Sequence, residues 1–344
     1  MPFISSIRRN YEQEKRENKT QDFEITGGDL FYTAGGYRIH TFTTTGEAEL
    51  FVKNLQNTNT NTMNLYSGIN AEVLAVAGGG GAGSIGGGGG AGGVVQSNTV
   101  NLMSGSTPVT VGAGGNSGGT YPGPNGNPGG NSAFGNYIAL GGAGSTSWNN
   151  RAQRPGGCGA GGPGSPGSGI AGGLATQPGQ PLPNGAFGTG FPGARGGNNP
   201  GSHYPTGAGT YTGGGGGGAG SAGGASDGAY NALNDTRTLN WRAGRKGGNG
   251  VSSNISGQIK VYAGGGGGSM HQSSGYNSPV MKAKGGLGGG GRGSSWDIQF
   301  GPNGRGEDSV TNTGGGGGGG NYTGRGTGDG GNGGPGIVIV RYLV

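Results

Sequence analysis

The stretch Glu72-Val73-Leu74-Ala75-Val76-Ala77-Gly78-Gly79-Gly80-Gly81 changes character within a single residue. Its first part is a nearly continuous apolar run, the pattern of a strand covered on both faces. Its second part opens a body that runs to Gly336 and holds 92 of the chain's 98 glycines in 259 residues. A counterpart, Ile337-Val338-Ile339-Val340-Arg341-Tyr342, leads out and is just as apolar and β-branched. The two runs are expected to lie in one small sheet that ties the ends of the glycine body together.

Composition sets the terms for that body. Only 28% of the 344 residues are hydrophobic, against a usual ~45–50%. Taken alone, such a composition reads as disorder, because a conventional core cannot offset chain entropy. Ordering a glycine costs roughly 0.5–1 kcal/mol more than ordering an alanine, so this many imply a handicap on the order of 50–100 kcal/mol. Backbone hydrogen bonding on a large scale has to offset it.

The longer tracts, Gly213 to Gly218, Gly264 to Gly268 and Gly314 to Gly320, have no Gly-X-Y period, which excludes collagen. They suit an extended left-handed threefold helix of the polyproline II type, rising ~3.1 Å per residue without internal hydrogen bonds. The outward amides of such a helix require neighbours. Parallel and antiparallel tracts packed side by side provide them where side chains are absent. Longer polar-aromatic insertions separate the tracts, around Trp148, Gln180 to Phe191, His203-Tyr204, Tyr230 to Trp241, Met270 to Val280 and Ser294 to Phe300. They are expected to form loops at the ends of the bundle.

Upstream, Phe23-Glu24-Ile25, Tyr37 to Phe42 and Ala48 to Val52 alternate apolar with polar residues, and Gly27-Gly28, Gly35-Gly36 and Thr45-Gly46 supply turns. This reads as an antiparallel meander, followed by a polar loop from Asn57 to Asn64. Val94-Val95, Asn98 to Met103 and Pro108 to Val111 resemble a hairpin around Ser104-Gly105-Ser106. The expected class is all-β with almost no α-helix. It comprises an attachment segment at 1–21, a β-rich meander or sandwich at 22–113 closed by 337–344, and a polyglycine II-type bundle at 114–336.

Charge and cysteine narrow the setting. The net charge is +6, yet residues 1–100 carry 7 basic and 9 acidic side chains, so the positive excess lies in the glycine body. There the arginines are dispersed singly, as on a soluble surface rather than a specific nucleic-acid site. Cys158 is single, which excludes an internal disulfide. No apolar run approaches the ~20 residues of a membrane helix. Met1 to Arg9 lacks the apolar core of a signal peptide, so synthesis in a cytoplasm is expected.

Several stretches together carry a resemblance: Val73 to Gly81, Gly90-Ala91-Gly92-Gly93-Val94-Val95, Pro108 to Gly115, Asn131-Ser132-Ala133-Phe134-Gly135 and Gly333 to Tyr342. They look like the glycine-rich domain of phage and bacterial surface proteins. The opening Pro2-Phe3-Ile4 and the segment Ala34 to Phe42 resemble virion structural proteins of T4-like marine cyanophages. A looser similarity is to distal tail-fibre adhesins, in which packed polyglycine helices end in loops that bind the host. The present chain departs from that pattern by placing a β-rich region first. The resemblance implies a virion protein, made in the host cytoplasm and assembled with other virion proteins as a homo-oligomer.

The residues give little chemistry beyond binding. Gly115-Asn116-Ser117-Gly118-Gly119 fits the nucleophile-elbow pattern but lacks the strand and helix that expose such a serine. No Gly-Lys dipeptide occurs, which excludes a Walker A loop. His40, His203, His271 and Cys158 show no zinc-ligand spacing. His40 reads as a strand-face residue, and neither enzymatic activity nor a cofactor is expected. All three tryptophans fall in the insertions, beside amide and charged groups. Aromatic faces in that company stack on sugars while their neighbours bond the hydroxyls; the competing role is capping of the bundle.

The candidate receptor-binding residues are Trp148, Tyr204, Trp241, Arg242, Tyr276 and Trp296. The candidate attachment residues are Phe3, Ile4, Ile7, Arg8 and Arg9. The expected function is that of a tail-fibre or receptor-binding component contacting host polysaccharide or lipopolysaccharide. A capsid or tail decoration protein and a secreted glycine-rich matrix or ice-binding protein are the alternatives.

Overall fold

The computed structural model describes residues 23–54, 68–119, 123–148, 150, 152, 154–164, 170–177, 187–189, 197–199, 210–224, 245–272, 283–294, 304–321 and 328–344. The described residues contain no helix. Their strands begin with β1 (Phe23–Thr26), β2 (Leu30–Ala34), β3 (Tyr37–Phe42), β4 (Gly46–Asn54) and β5 (Ile69–Val76). Next come β6 (Val94–Leu102), β7 (Gly105–Val111), β8 (Ser132–Phe134), β9 (Tyr137–Ala139) and β10 (Phe187–Thr189). Then follow β11 (Gly197–Asn199), β12 (Thr210–Thr212), β13 (Val251–Ser253), β14 (Lys260–Tyr262), β15 (Met270–Gln272) and β16 (Ile337–Leu343).

Two sheets form a sandwich, one ordered β1-β4-β7-β8-β9 and the other β10-β6-β5-β16-β3-β2. The apolar runs on either side of the glycine body are adjacent, since β16 pairs antiparallel with β5 from Ile337↔Val76 to Tyr342↔Ala71. Its other neighbour is β3. Alternation then divides the side chains. Val73, Ala75, Val338, Val340 and Tyr342 face Leu50, Val52, Val109, Val111 and Phe134 of the opposite sheet. Leu74, Val76, Ile337 and Ile339 face the other way, onto Cys158, Ala219, Ile255, Tyr262 and Ala263. Both faces of these strands are buried, which is why their sequences are apolar throughout.

Two sequence expectations are corrected. The residues before Asn57 do not form a meander: β1 and β4 belong to one sheet and β2 and β3 to the other. The chain crosses between sheets at Thr43–Thr44, where the Asp29 carboxylate accepts hydrogen bonds from both backbone amides and both hydroxyls. Likewise β6 and β7 are not a hairpin. Val95, Val100 and Leu102 on β6 and Val109 and Val111 on β7 meet across the core from opposite sheets. Gly105, at φ +120°, turns the corner between them.

The sandwich buries an imidazole. His40 Nδ1 lies 2.7 Å from the Gly27 carbonyl and donates to it, leaving Nε2 to accept from the Tyr342 hydroxyl at 3.3 Å. Burial holds the His40 pKa below its ordinary value, with the Arg38 charge acting in the same direction and the Gly27 bond opposing. On the other face of the sheet Arg341 binds Glu72 Oε2 at 2.7 Å and the Asn254 carbonyl at 2.9 Å, with its guanidinium over the Tyr37 ring. This fastens the β13–β14 hairpin onto the sheet.

The glycine tracts have the expected threefold geometry, visible in where their amides go. Gly78 and Gly81 donate to Gly130 and Asn127, Gly79 and Ala82 to Gly334 and Gly331, and Gly80 to Gly90, at 2.8–3.0 Å. Gly213 and Gly216 donate to Ser269 and Gly266, Gly214 and Gly217 to Gly162 and Gly159, and Gly215 and Gly218 to Gly224 and Ser221. Every third amide thus meets the same neighbour, as a helix with three residues per turn requires. Neighbours run both ways: Gly316 and Gly319 donate to Gly264 and Gly267 in parallel, whereas Gly265 and Gly268 donate to Gly248 and Arg245 antiparallel.

Close approach, rather than unusual backbone angles, makes glycine obligatory here. A Cβ on Gly266 would overlap the carbonyl of Gly317, and one on Gly316 that of Gly89. Backbone on both sides prevents relief. We therefore expect Gly266→Ala to destabilise the fold by about 2–3 kcal/mol in urea unfolding, while Gly119→Ala, whose Cβ would have only Pro124 Cδ near it at 3.7 Å, stays within about 0.5 kcal/mol. His40 gives a second expectation. An imidazole whose folded pKa is depressed contributes stability above its unfolded value of 6.5, and that stability is lost as pH falls towards the folded value. The urea midpoint of the wild type should drop between pH 7.5 and 5.5, and His40→Asn should flatten that drop.

Candidate functional site

The tracts are chemically asymmetric along their length. Two of the outgoing tracts start beside apolar residues and alanine, Val76-Ala77-Gly78 and Tyr262-Ala263-Gly264. Several finish in small polar ones: Gly83-Ser84, Gly144-Ser145-Thr146-Ser147, Gly268-Ser269, Gly293-Ser294 and Gly320-Asn321. The bundle interior admits nothing larger than a methyl or thiol, so longer side chains sit where neighbouring tracts stop. Those same ends leave backbone groups without a tract to pair with, and hydroxyls and amides can take them up.

The polar termini gather at the end of the bundle away from the sandwich. Ser84 bridges to Gly320, Trp148 N–H donates to the Ser84 carbonyl at 3.1 Å, and Ser269 N–H donates to Gly86 at 3.1 Å. Ser294 N–H donates to Gly319 and Asn321 N–H to Gly304, at 2.8 and 2.6 Å. All five serines and Asn321 are buried. Ser145 Oγ accepts from Gly83 N–H at 2.9 Å and donates to the Gly87 carbonyl at 2.7 Å. Ser147 Oγ accepts from Ser84 N–H and donates to Pro124, while Ser269 Oγ donates to Gly86.

This floor is neither fully satisfied nor relaxed. Among the described residues the buried hydroxyls of Ser84 and Ser294 have no hydrogen-bond partner, and Ile85 adopts φ +48° in the turn between two tracts. A β-branched residue rarely takes that conformation. Such departures concentrate where surrounding structure is held for a purpose.

The outer ends of the tracts accumulate at this one end. The described residues that flank 120–122, 149, 165–169, 200–209, 225–244, 273–282, 295–303 and 322–327 are the outer ends of tracts, or strands β11, β12 and β15 that continue them. Those three strands pair into a small sheet at this end, since β12 leads into Gly213 and β15 follows Ser269. One predicted insertion behaves differently. Gln180 to Phe191 follows Gln177, whose Oε1 accepts from Leu140 N–H near the sandwich, and β10 within it adds to the edge of β6.

Of the candidate receptor-binding residues, Trp148 is half-buried on the distal floor. Tyr204, Trp241, Arg242, Tyr276 and Trp296 lie outside the described residues, as do Phe3, Ile4, Ile7, Arg8 and Arg9. The buried serines were missed in the sequence reading. Their signal was the recurrent switch from glycine to Ser or Asn at one end of each outgoing tract.

The chemistry available on the floor is hydrogen bonding and stacking. Asp29, His40, Tyr262 and Tyr342, whose pKa values are displaced, belong to the sandwich and its cover. Among the described residues no group of three or more His, Cys, Asp or Glu is arranged to hold a metal ion. Ser117, the serine of the elbow-like pentapeptide, sits in a tract: its N–H donates to Asn332 Oδ1 at 2.7 Å, and Gly118 N–H donates to Ala82.

A family model described as a glycine-rich domain matches residues 54–343. The chain belongs to that family. No curated protein matches it. The match covers the glycine body and the strands around it, and says nothing of a virion.

The hydroxyl caps give an expectation for this end. Ser145→Ala strands a buried Gly83 N–H and should cost about 1–3 kcal/mol. Native-state hydrogen exchange at Gly83 should accelerate, with the amides of β5 and β16 affected least.

Proposed function

We propose that this member of the glycine-rich domain family is a non-enzymatic virion structural protein, a tail-fibre or receptor-binding component that contacts host cell-surface polysaccharide through the distal end of its bundle. The observation that carries this reading is the gathering of the tracts' outer ends on one floor of buried serines, Ser84, Ser145, Ser147, Ser269 and Ser294. A bundle stitched by main-chain hydrogen bonds is a stiff support, and recognition is commonly carried by loops on such supports. Because no tract relies on large side chains, the segments can differ in sequence without disturbing what holds them.

The residue types in those segments suit carbohydrate. Trp241 is preceded by Asn240 and followed by Arg242, Trp296 is followed by Asp297, and Tyr204 and Tyr276 lie in two further segments. Indole and phenol rings cover the apolar face of a pyranose, and amide, guanidinium and carboxylate groups bond its hydroxyls. The virion setting rests on the resemblance of Pro2-Phe3-Ile4, Ala34 to Phe42 and the glycine-flanking strands to phage proteins. In that setting Phe3, Ile4, Ile7, Arg8 and Arg9 attach the chain to another virion protein.

The purified chain should adsorb to susceptible cyanobacterial cells and to their lipopolysaccharide, and should block infection when added first. Trp148→Ala should weaken adsorption by about 30-fold, the effect of removing one central aromatic anchor worth ~2 kcal/mol. Folded protein that neither adsorbs nor blocks infection would overturn the reading.

A further inference from the structure

Strand β2, Leu30-Phe31-Tyr32-Thr33-Ala34, is the outermost strand of the six-stranded sheet and, among the described residues, pairs with β3 alone. Edge strands are normally protected by charge, proline, a bulge or short length. The other edges follow that rule: β1 carries Glu24, 3.6 Å from Lys53, and β9 and β10 have three residues each. β2 has five residues and no charge or proline. Leu30 and Phe31 are each 57% exposed and Tyr32 is 37% exposed. Ile259, exposed as well, lies three residues beyond Ser256, whose carbonyl accepts from the Tyr32 hydroxyl.

The hairpin fixes which backbone groups are available. Gly35 and Gly36, at φ +59° and +80°, form a two-residue turn closed by Ala34↔Tyr37. Alternation from that closing pair directs the amides and carbonyls of Tyr32 and Leu30 to β3, and those of Phe31 and Thr33 outwards. The Asp29 amide is already engaged, donating to the Thr41 carbonyl at 2.8 Å.

We infer that β2 is a dimerisation edge, pairing antiparallel with β2 of a second copy about a twofold axis through Tyr32. In this register Phe31 of each chain lies opposite Thr33 of the partner subunit, and all of the outward groups of both residues are satisfied. A shift that centres the axis on Phe31 would need the Asp29 amide, which is occupied. Antiparallel pairing also sets the Asp29 end of one strand beside the partner's turn that leads to the exposed Arg38, so opposite charges approach at both ends. Tyr32 stacks beside its symmetry mate, and Leu30 meets Ala34 of the partner subunit. The two six-stranded sheets become continuous, with the loops between β13 and β14, whose Ser256 carbonyl accepts from Tyr32, flanking the interface on one face.

Light scattering on the full chain tests this. The wild type should have twice the 33.2 kDa chain mass, and Phe31→Lys, at an exposed position, should have the monomer mass while keeping the far-UV circular dichroism of the wild type. Tyr32→Cys should form an intermolecular disulfide on mild oxidation, because non-hydrogen-bonded partners have Cα atoms ~4.5 Å apart, within disulfide range. Leu30→Cys should not, since it faces Ala34. Cys158 is buried and does not compete. A monomeric wild type, a dimer that persists in Phe31→Lys, or equal cross-linking through Leu30→Cys would each overturn the inference.

Discussion

A polyglycine helix makes no hydrogen bond to itself, so every buried amide of a tract must find its acceptor on another part of the chain, most often the carbonyl of a neighbouring tract. That requirement governs the rest of the molecule. It forces the tracts into mutual contact, sets their spacing at a distance that excludes side chains, and makes the neighbours of each tract recur every third residue, as with Gly130 and Asn127 along Gly78 to Ala82. Alanine is tolerated where its methyl finds a gap, as at Ala82 and Ala91, both fully buried. Stability here comes from saturation of the main chain, with the large apolar clusters lying in the sandwich and its outer cover.

The sandwich supplies what the glycines cannot, which is register. Tracts without side chains have no means of distinguishing one alignment from its neighbour three residues along. Strands β5 and β16 do, because a slip would move Leu74 and Val76 or Val338 and Val340 into the wrong environment. The first tract starts at Gly78 from one of these strands, and the stretch ending at Gly336 enters the other. At the far end, serine hydroxyls close the pattern by taking the amides and carbonyls that lack a facing tract.

Much of this was legible in the sequence because its signals were local. Uniformly apolar strands flanking the glycine body announced a sheet buried on both faces, and Gly35-Gly36 announced a turn before Tyr37 to Phe42, though not the strand β2 that precedes it. The assignment of strands to sheets was not legible. Val94 to Val111 has the pattern of a hairpin, and only the partners of β6 and β7, distant in sequence, reveal that the chain changes sheets at Gly105. The same holds for Asp29, whose role at the crossing depends on Thr43 and Thr44 being brought back to it. For the candidate site, the insertions were visible as breaks in the glycine pattern. That the described residues flanking nearly all of them share one end, and that Gln177 and β10 beside Gln180 to Phe191 lie near the sandwich instead, required knowing the direction of each tract.

The pairing of β5 with β16 has a consequence for how the chain reaches its fold. Arg341 and Glu72, joined across these strands, are 269 residues apart in sequence, and the amides of Gly79 and Ala82 find their acceptors at Gly334 and Gly331. Contacts of such separation must overcome a large loop entropy before they return anything. The early tracts therefore stay solvated until the closing strand is in place, and assembly of sheet and bundle becomes one cooperative event in which β16 acts as a keystone.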